Sequence, residues 1–260
     1  MPDVVGYNAF RLVRKQEKGM LNIVAIGGGE FKSRGTLPID QAIVAMAGKE
    51  RPRVLFIPTA SQESGGYITT FRHIYGQQLG CRTQPLMLGK GEPKSRQQVL
   101  DKVMASDIIY VGSGNSRYML DEWRRFGVDS ALRQAAYAGK ILCGLSAGAI
   151  CWFEASWSDY PLLEGTGRYQ LLPALGLLPG LVCPHSDEPG RMEGLEQAVQ
   201  ACAKPCLCLP NGAALCVQGG QFRVIRLQGA AAPQRMEPDG RLWTIPDSGD
   251  LKQLGLEGAL

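Results

Sequence analysis

The apolar positions fall into short unbroken runs separated by amphipathic segments. Residues 21–26 (Leu-Asn-Ile-Val-Ala-Ile), 53–58 (Arg-Val-Leu-Phe-Ile-Pro), 107–111 (Asp-Ile-Ile-Tyr-Val) and 140–145 (Lys-Ile-Leu-Cys-Gly-Leu) are too short for buried helices and rich in β-formers. They read as strands covered on both faces. Residues 84–88 form a shorter strand, and a helical period over 39–47, 67–79, 95–104, 117–126 and 130–138 predicts helices between them. Strand and helix alternate through the first half. That order predicts an α/β fold of three layers, a mostly parallel sheet with helices on both faces. Four of the strands end in glycine or small polar residues: Gly27-Gly28-Gly29-Glu30, Thr59-Ala60-Ser61, Gly112-Ser113-Gly114-Asn115-Ser116, and Ser146. In such sheets ligands sit at the carboxyl ends of the strands, so these turns converge on one edge.

The second half changes character. Residues 154–170 are polar and read as loop; 171–181 are apolar but interrupted by Pro173, Pro179 and Gly180. A helix is expected over 192–203 and strands over 206–209, 213–217 and 222–227. Asn211-Gly212 and Gly219-Gly220 between those strands predict late antiparallel hairpins. The polar leader, residues 1–20 with a short helix at 9–18, and the Pro/Gly-rich tail from 229 to 260 read as peripheral to a single domain spanning 1–260.

Composition narrows the function. The net charge of +4 is spread without a basic stripe, which argues against nucleic acid as a partner. No apolar run is long enough to predict a membrane span, and the N-terminus lacks a signal-peptide core. The eight cysteines lie mostly in apolar, strand-like surroundings, as reduced thiols of a cytoplasmic protein would. Cys202, Cys206 and Cys208 are closely spaced, but no histidine is near and the spacing is not that of a zinc site. Residues 27–30 fit neither a dinucleotide fingerprint nor a P-loop.

One segment carries chemistry. Gly144-Leu145-Ser146-Ala147-Gly148 fits G-x-S-x-G, in which a serine projects from a tight strand-to-helix turn. Ala147 N–H would then point at a developing oxyanion. A glycine-rich turn with a serine helix cap is the plainer reading of the same five residues. A nucleophilic serine needs a base, and the chain has two histidines. His73 lies within a helix away from the sheet edge; His185, in Cys183-Pro184-His185, follows an apolar segment and is the candidate. For the acid that orients it, Glu154 lies in the helix expected after the elbow and points away, Asp187 is too close in sequence, and Asp159 sits in a loop able to fold over the edge. An α/β-hydrolase is disfavoured by the short Ser146–His185 separation and by the absence of an HGGG-type segment.

The Gly144-Leu-Ser-Ala-Gly-Ala149 segment, the Gly112-Ser-Gly-Asn-Ser116 turn before it and Cys183-Pro-His185 after it together resemble peptidase family S51, which includes dipeptidase E and cyanophycinase. The resemblance spans roughly residues 20–228. It implies a flavodoxin-like, class I glutamine amidotransferase-like fold with Ser146 as nucleophile and His185 as base. It further implies an oxyanion hole from the Gly114 and Ala147 amides, and a catalytic role for Asp159. The family's late Leu-Pro-acid-Gly loop reads Leu209-Pro210-Asn211-Gly212 here, so an amide stands where the third triad member is expected. Arg191 stands near the family's aspartate-binding arginine, with Arg117 and Asn115 as further substrate-binding candidates. The implied activity is a serine dipeptidase acting on small peptides, with a preference for N-terminal aspartate and no need of a metal or organic cofactor. Asn211 keeps open an inactive relative that binds an amino-acid-like ligand, and a cyanophycinase-like hydrolase of β-aspartyl-arginine bonds is a third reading. A homodimer is compatible with the sequence.

Overall fold

The computed structural model describes residues 21–29, 31, 35–89 and 95–256. The leader, with the helix expected at 9–18, lies outside them. Strands β1 (Asn22–Ile26), β2 (Arg53–Ile57), β3 (Arg82–Pro85), β4 (Ile108–Val111) and β5 (Ile141–Leu145) run parallel in the order β1-β5-β4-β2-β3. β3 begins earlier than the expected 84–88, because Leu86 and Leu88 leave the sheet to pack in the core. The helices are α1 (Leu37–Met46), α2 (Gly65–Phe71, continued by a π-helical stretch Arg72–Gln78), α3 (Arg96–Met104), α4 (Ser116–Phe126) and α5 (Val128–Tyr137). Strand alternation divides them between the faces. Ile23, Ala25, Leu55, Ile57, Ile109 and Val111 pack with Val99, Met119, Trp123 and Leu132 of α3–α5. Val24, Ile26, Val54, Phe56 and Tyr110 pack with Ile39 and Ile43 of α1 and with Phe71 and Tyr75. This is the expected three-layer arrangement, and burial on both faces explains the unbroken apolar runs.

Past Ser146 the chain departs from expectation. The helix after the elbow, α6 (Ala147–Ile150), is a single turn. It passes into β6 (Phe153–Ser158), the first strand of a second, six-stranded sheet with β7 (Gln170–Pro173), β8 (Leu178–Pro184) and β9 (Cys206–Leu209). β6, β8 and β9 are mutually parallel. Segment 154–158 read as loop because of its polar residues, yet Ser156 and Ser158 are fully buried. Glu154 is therefore on a strand, where it accepts from Lys204 Nζ (2.6 Å) and Gly180 N–H (2.8 Å). One face of this sheet joins the main core through Phe153, Leu178, Val182 and Leu207. The other is covered by α8 (Leu195–Cys202) and holds Cys183, Cys206 and Cys208. Between β6 and β7 lies a short helix, α7 (Tyr160–Leu163).

Two further expectations are corrected. Asn211-Gly212 does not close a hairpin. After β9 the chain crosses to the first sheet, where β10 (Ala213–Gln218) pairs antiparallel with β1 on one side and with β11 (Gln221–Arg226) on the other. The left-handed Gly212 (φ +69°) serves the crossing as it would serve a hairpin, while Gly219-Gly220 does close one. Nor is the tail peripheral over its described residues. β12 (Gln234–Met236) pairs with β9 and with β13 (Leu242–Thr244), and β14 (Ser248–Asp250) pairs with β11. Ile245, Leu251, Leu254 and Leu256 are buried in the main core.

Candidate active site

Register brings the turns together. Ile26, Leu145, Val111 and Ile57 end their strands side by side, so the turns beginning at Gly27, Ser146, Gly112 and Pro58 share the carboxyl edge of the first sheet. The second sheet delivers its own carboxyl ends: Ser158 leads to Asp159, Pro184 to His185, and Leu209, level with Pro184, to Pro210 and Asn211. The two edges dock through backbone. His185 N–H donates to Gly27 C=O and Gly212 N–H to Gly28 C=O, both at 3.0 Å. A Cβ on Gly27 would overlap Leu209 C=O, and one on Gly28 would overlap Asn211 Oδ1 and the His185 ring. The glycines after β1 thus make room for the histidine of the other sheet.

The elbow has the same logic. Ser146 is held at φ +56°, ψ −107°, a conformation L-residues rarely adopt. A Cβ on Gly144 would lie 2.6 Å from Gly148 C=O, and one on Gly148 would overlap Val111 C=O. Both glycines of G-x-S-x-G are needed for α6 to rise so sharply over β4 and β5. His185 is also left-handed, at φ +54°. Strain at two residues that meet is what a functional pair shows. Ser146 Oγ is 2.8 Å from His185 Nε2, and His185 Nδ1 is 2.8 Å from Asn211 Oδ1. The nearby thiols are no rival nucleophiles, since burial pushes Cys143, Cys151 and Cys183 up.

Gly114, at φ +140°, lies so close to Ala60 C=O that a Cβ would overlap it, and its own N–H makes no hydrogen bond among the described residues. Ala147 opens α6, so its N–H has no intrahelical acceptor. The turn bearing Gly114 is tied down by Asn115 N–H to Ala60 C=O (2.8 Å) and by Ser113 N–H to Tyr67 Oη (3.3 Å). Asn115 caps α4 through Oδ1 on Tyr118 N–H (3.0 Å) and donates to Glu164 Oε1 (3.1 Å). Arg117 lies over the Tyr160 ring with its guanidinium 5.2 Å from the centroid and its side chain 53% exposed.

Asp159 does not reach His185. Its Oδ2 faces Arg191 Nη1 at 3.6 Å. Arg191 is only 2% exposed and donates to Pro184 C=O (2.8 Å) and Trp157 C=O (2.9 Å), with its guanidinium over Tyr169. Arg191 thereby ties the exits of β6 and β8 together. What surrounds His185 instead is Asp187 and Glu188. Asn211 Nδ2 donates to Asp187 Oδ1 (3.0 Å) and Glu188 Oε1 (3.2 Å), and Glu188 Oε1 is 3.2 Å from His185 Nδ1. Proximity in sequence hid these two. The turn signalled by Pro189-Gly190, with Glu188 N–H on His185 C=O (2.9 Å), folds them back beside the ring.

A two-sheet α/β protein with a strained serine at an elbow and a histidine on its hydroxyl is the class defined by fold and site. The model of peptidase family S51 matches residues 23–225, and the chain belongs to that family. The uncharacterized peptidase YgaJ of Bacillus subtilis is 42% identical over 169 residues, 65% of this chain and 70% of that protein. Peptidase E of Streptomyces coelicolor is 27% identical over 212 residues, 76% of this chain and 82% of its own. The crystal structure of a peptidase from an acI-B1 actinobacterium has the same fold, with a TM-score of 0.67 at 19% identity, over 90% of this chain and 98% of its own. Among the described residues no helix is long and apolar enough to cross a membrane.

Proposed function

We propose that this chain is a serine-type peptidase hydrolysing short peptides through an acyl-enzyme on Ser146. The observation that carries this reading is the hydrogen-bonded series Ser146 Oγ, His185 Nε2, His185 Nδ1, Asn211 Oδ1, with 2.8 Å at both ring nitrogens. With the Nδ1 proton directed to Asn211, Nε2 offers its lone pair to the serine hydroxyl. Ser146 Oγ attacks the scissile carbonyl as its proton passes to Nε2. The carbonyl oxygen takes negative charge beside the Gly114 and Ala147 amides. The imidazolium then protonates the departing amine, and water repeats the sequence to free Ser146. Every step is acyl transfer by side chains and backbone amides.

The expected substrate is a dipeptide with N-terminal aspartate. Arg191 is buried against Asp159, whereas Arg117, 53% exposed beside Asp121, is the more accessible cation for a substrate carboxylate. The eight unpaired cysteines support a reducing, cytoplasmic setting. Hydrolysis of Asp-X against Ala-X dipeptides by wild type and Ser146→Ala tests the reading, and equal rates in the two proteins would end it. The uncharged Asn211 also favours a second reading, an inert relative that binds an amino-acid-like ligand. Stoichiometric labelling of Ser146 by a fluorophosphonate excludes that alternative.

A further inference from the structure

An asparagine next to a catalytic imidazole is hazardous. Its amide can turn and present N–H to Nδ1, forcing the proton to Nε2 and removing the lone pair that Ser146 needs. In a serine protease, replacing the triad aspartate by asparagine costs about 10⁴ in kcat for this reason. Here the amide is not free to turn. Both hydrogens of Nδ2 are taken by carboxylates, Asp187 Oδ1 at 3.0 Å and Glu188 Oε1 at 3.2 Å, and Asp187 Oδ1 also accepts from Asn211 N–H at 2.8 Å. Turning the amide over would set Oδ1 against two carboxylates and Nδ2 against a ring N–H, losing three hydrogen bonds together.

We infer that Asp187 and Glu188 are positioning residues that fix the Asn211 amide, and through it the His185 tautomer, with Glu188 supplying the negative charge that asparagine lacks. Glu188 Oε1 lies 3.2 Å from His185 Nδ1 and so faces the imidazolium that forms during acyl transfer. Among the described residues, the elbow brings His185 the serine hydroxyl and the turn after β1 brings it glycines, 27–29, neither of them charged. The Arg191–Asp159 pair stands behind it, bound to Pro184 C=O through Arg191 Nε. The kinetic consequence rests on the serine-peptidase reading; the tautomer does not.

The test is ¹⁵N NMR of the imidazole in a His73→Gln background, which leaves His185 as the one ring; His73 is an exposed residue bonded to Gln77 and Gln78. At alkaline pH the parent is expected to show one tautomer, protonated at Nδ1. The double variant Asp187→Asn, Glu188→Gln is expected to populate the Nε2–H tautomer and to lose about 10²-fold in kcat with KM little changed. Glu188→Asp is expected to retain most of the activity. The triple variant Asp187→Asn, Glu188→Gln, Asn211→Asp exchanges donors for acceptors at all three positions, and should restore both the tautomer and turnover. A double variant that keeps the single Nδ1–H tautomer would overturn the inference, whatever the fate of the peptidase reading. Loss of serine labelling with the tautomer behaviour intact would overturn that reading alone.

Discussion

Gly28 lies against the His185 ring so closely that a Cβ there would sit 2.6 Å from Cε1 and overlap Asn211 Oδ1. Gly28 does not adopt a left-handed conformation, so the effect of a side chain is displacement rather than backbone strain. Gly28→Ala is expected to lower kcat by about 10²-fold by moving the imidazole off Ser146, since misplacement of about 1 Å has that cost. Overpacking should cost only about 1–3 kcal/mol of stability. Steady-state kinetics beside urea unfolding checks this; wild-type turnover in Gly28→Ala would contradict the docking described.

Arg191 is expected to act on stability before specificity. Arg191→Met strands the Pro184 and Trp157 carbonyls and should cost about 2–4 kcal/mol in chemical denaturation. Asp159→Asn should cost less, because the aspartate is 36% exposed. If Arg191→Met instead leaves stability untouched and raises KM for Asp-X peptides alone, Arg191 is a substrate ligand.

Asp40 makes stability depend on pH far from the site. Burial pushes its carboxyl up from 3.8 to about 7, against the opposing hydrogen bonds from Tyr75 and Thr36. The folded state therefore keeps this proton where the unfolded chain has released it. The group's contribution is full below the unfolded value of 3.8 and declines as pH rises toward 7. Asp40→Asn should remove that slope, so the variant gains on wild type between about pH 4 and 7. Thermal unfolding of both proteins across that range measures the difference, and parallel curves would count against it.

The tail should be as costly to damage as the centre of the domain. Leu251→Ala and Leu254→Ala remove side chains from the main core and should each cost about 2–5 kcal/mol. Leu242→Ala, on a residue 45% exposed, should stay within about 0.5 kcal/mol of wild type. Equal, small effects at all three positions would return the tail to the periphery.

What could be read in the chain follows from where information is local. The first-half strands were legible because a strand covered on both faces must be apolar throughout, and the elbow because a sharp turn over a sheet leaves room only for Gly144 and Gly148. β6 was hidden because Ser156 and Ser158 are polar residues buried inside a sheet. The crossing at Asn211-Gly212 looked like a hairpin because a left-handed glycine serves either path, and the choice is made by β1, at the other end of the chain. Ser146 and His185 were recognisable by residue type. Between Asp159 and Asn211 the sequence leaves the partner of His185 Nδ1 open; in the fold Asn211 meets it and Asp159 faces the buried Arg191. Asp187 and Glu188 needed the fold of their own turn to be known.

The pairing of β1 with β10 has a consequence for the timing of synthesis. Ser146 and His185 leave the ribosome before Asn211, and before the strand that closes the open side of β1. Until those later residues emerge, one edge of β1 stays bare, and His185 Nδ1 has no Asn211 to meet. A nascent chain that already holds Ser146 and His185 is therefore expected to lack the complete hydrogen-bonded series, which closes only as the C-terminal strands arrive.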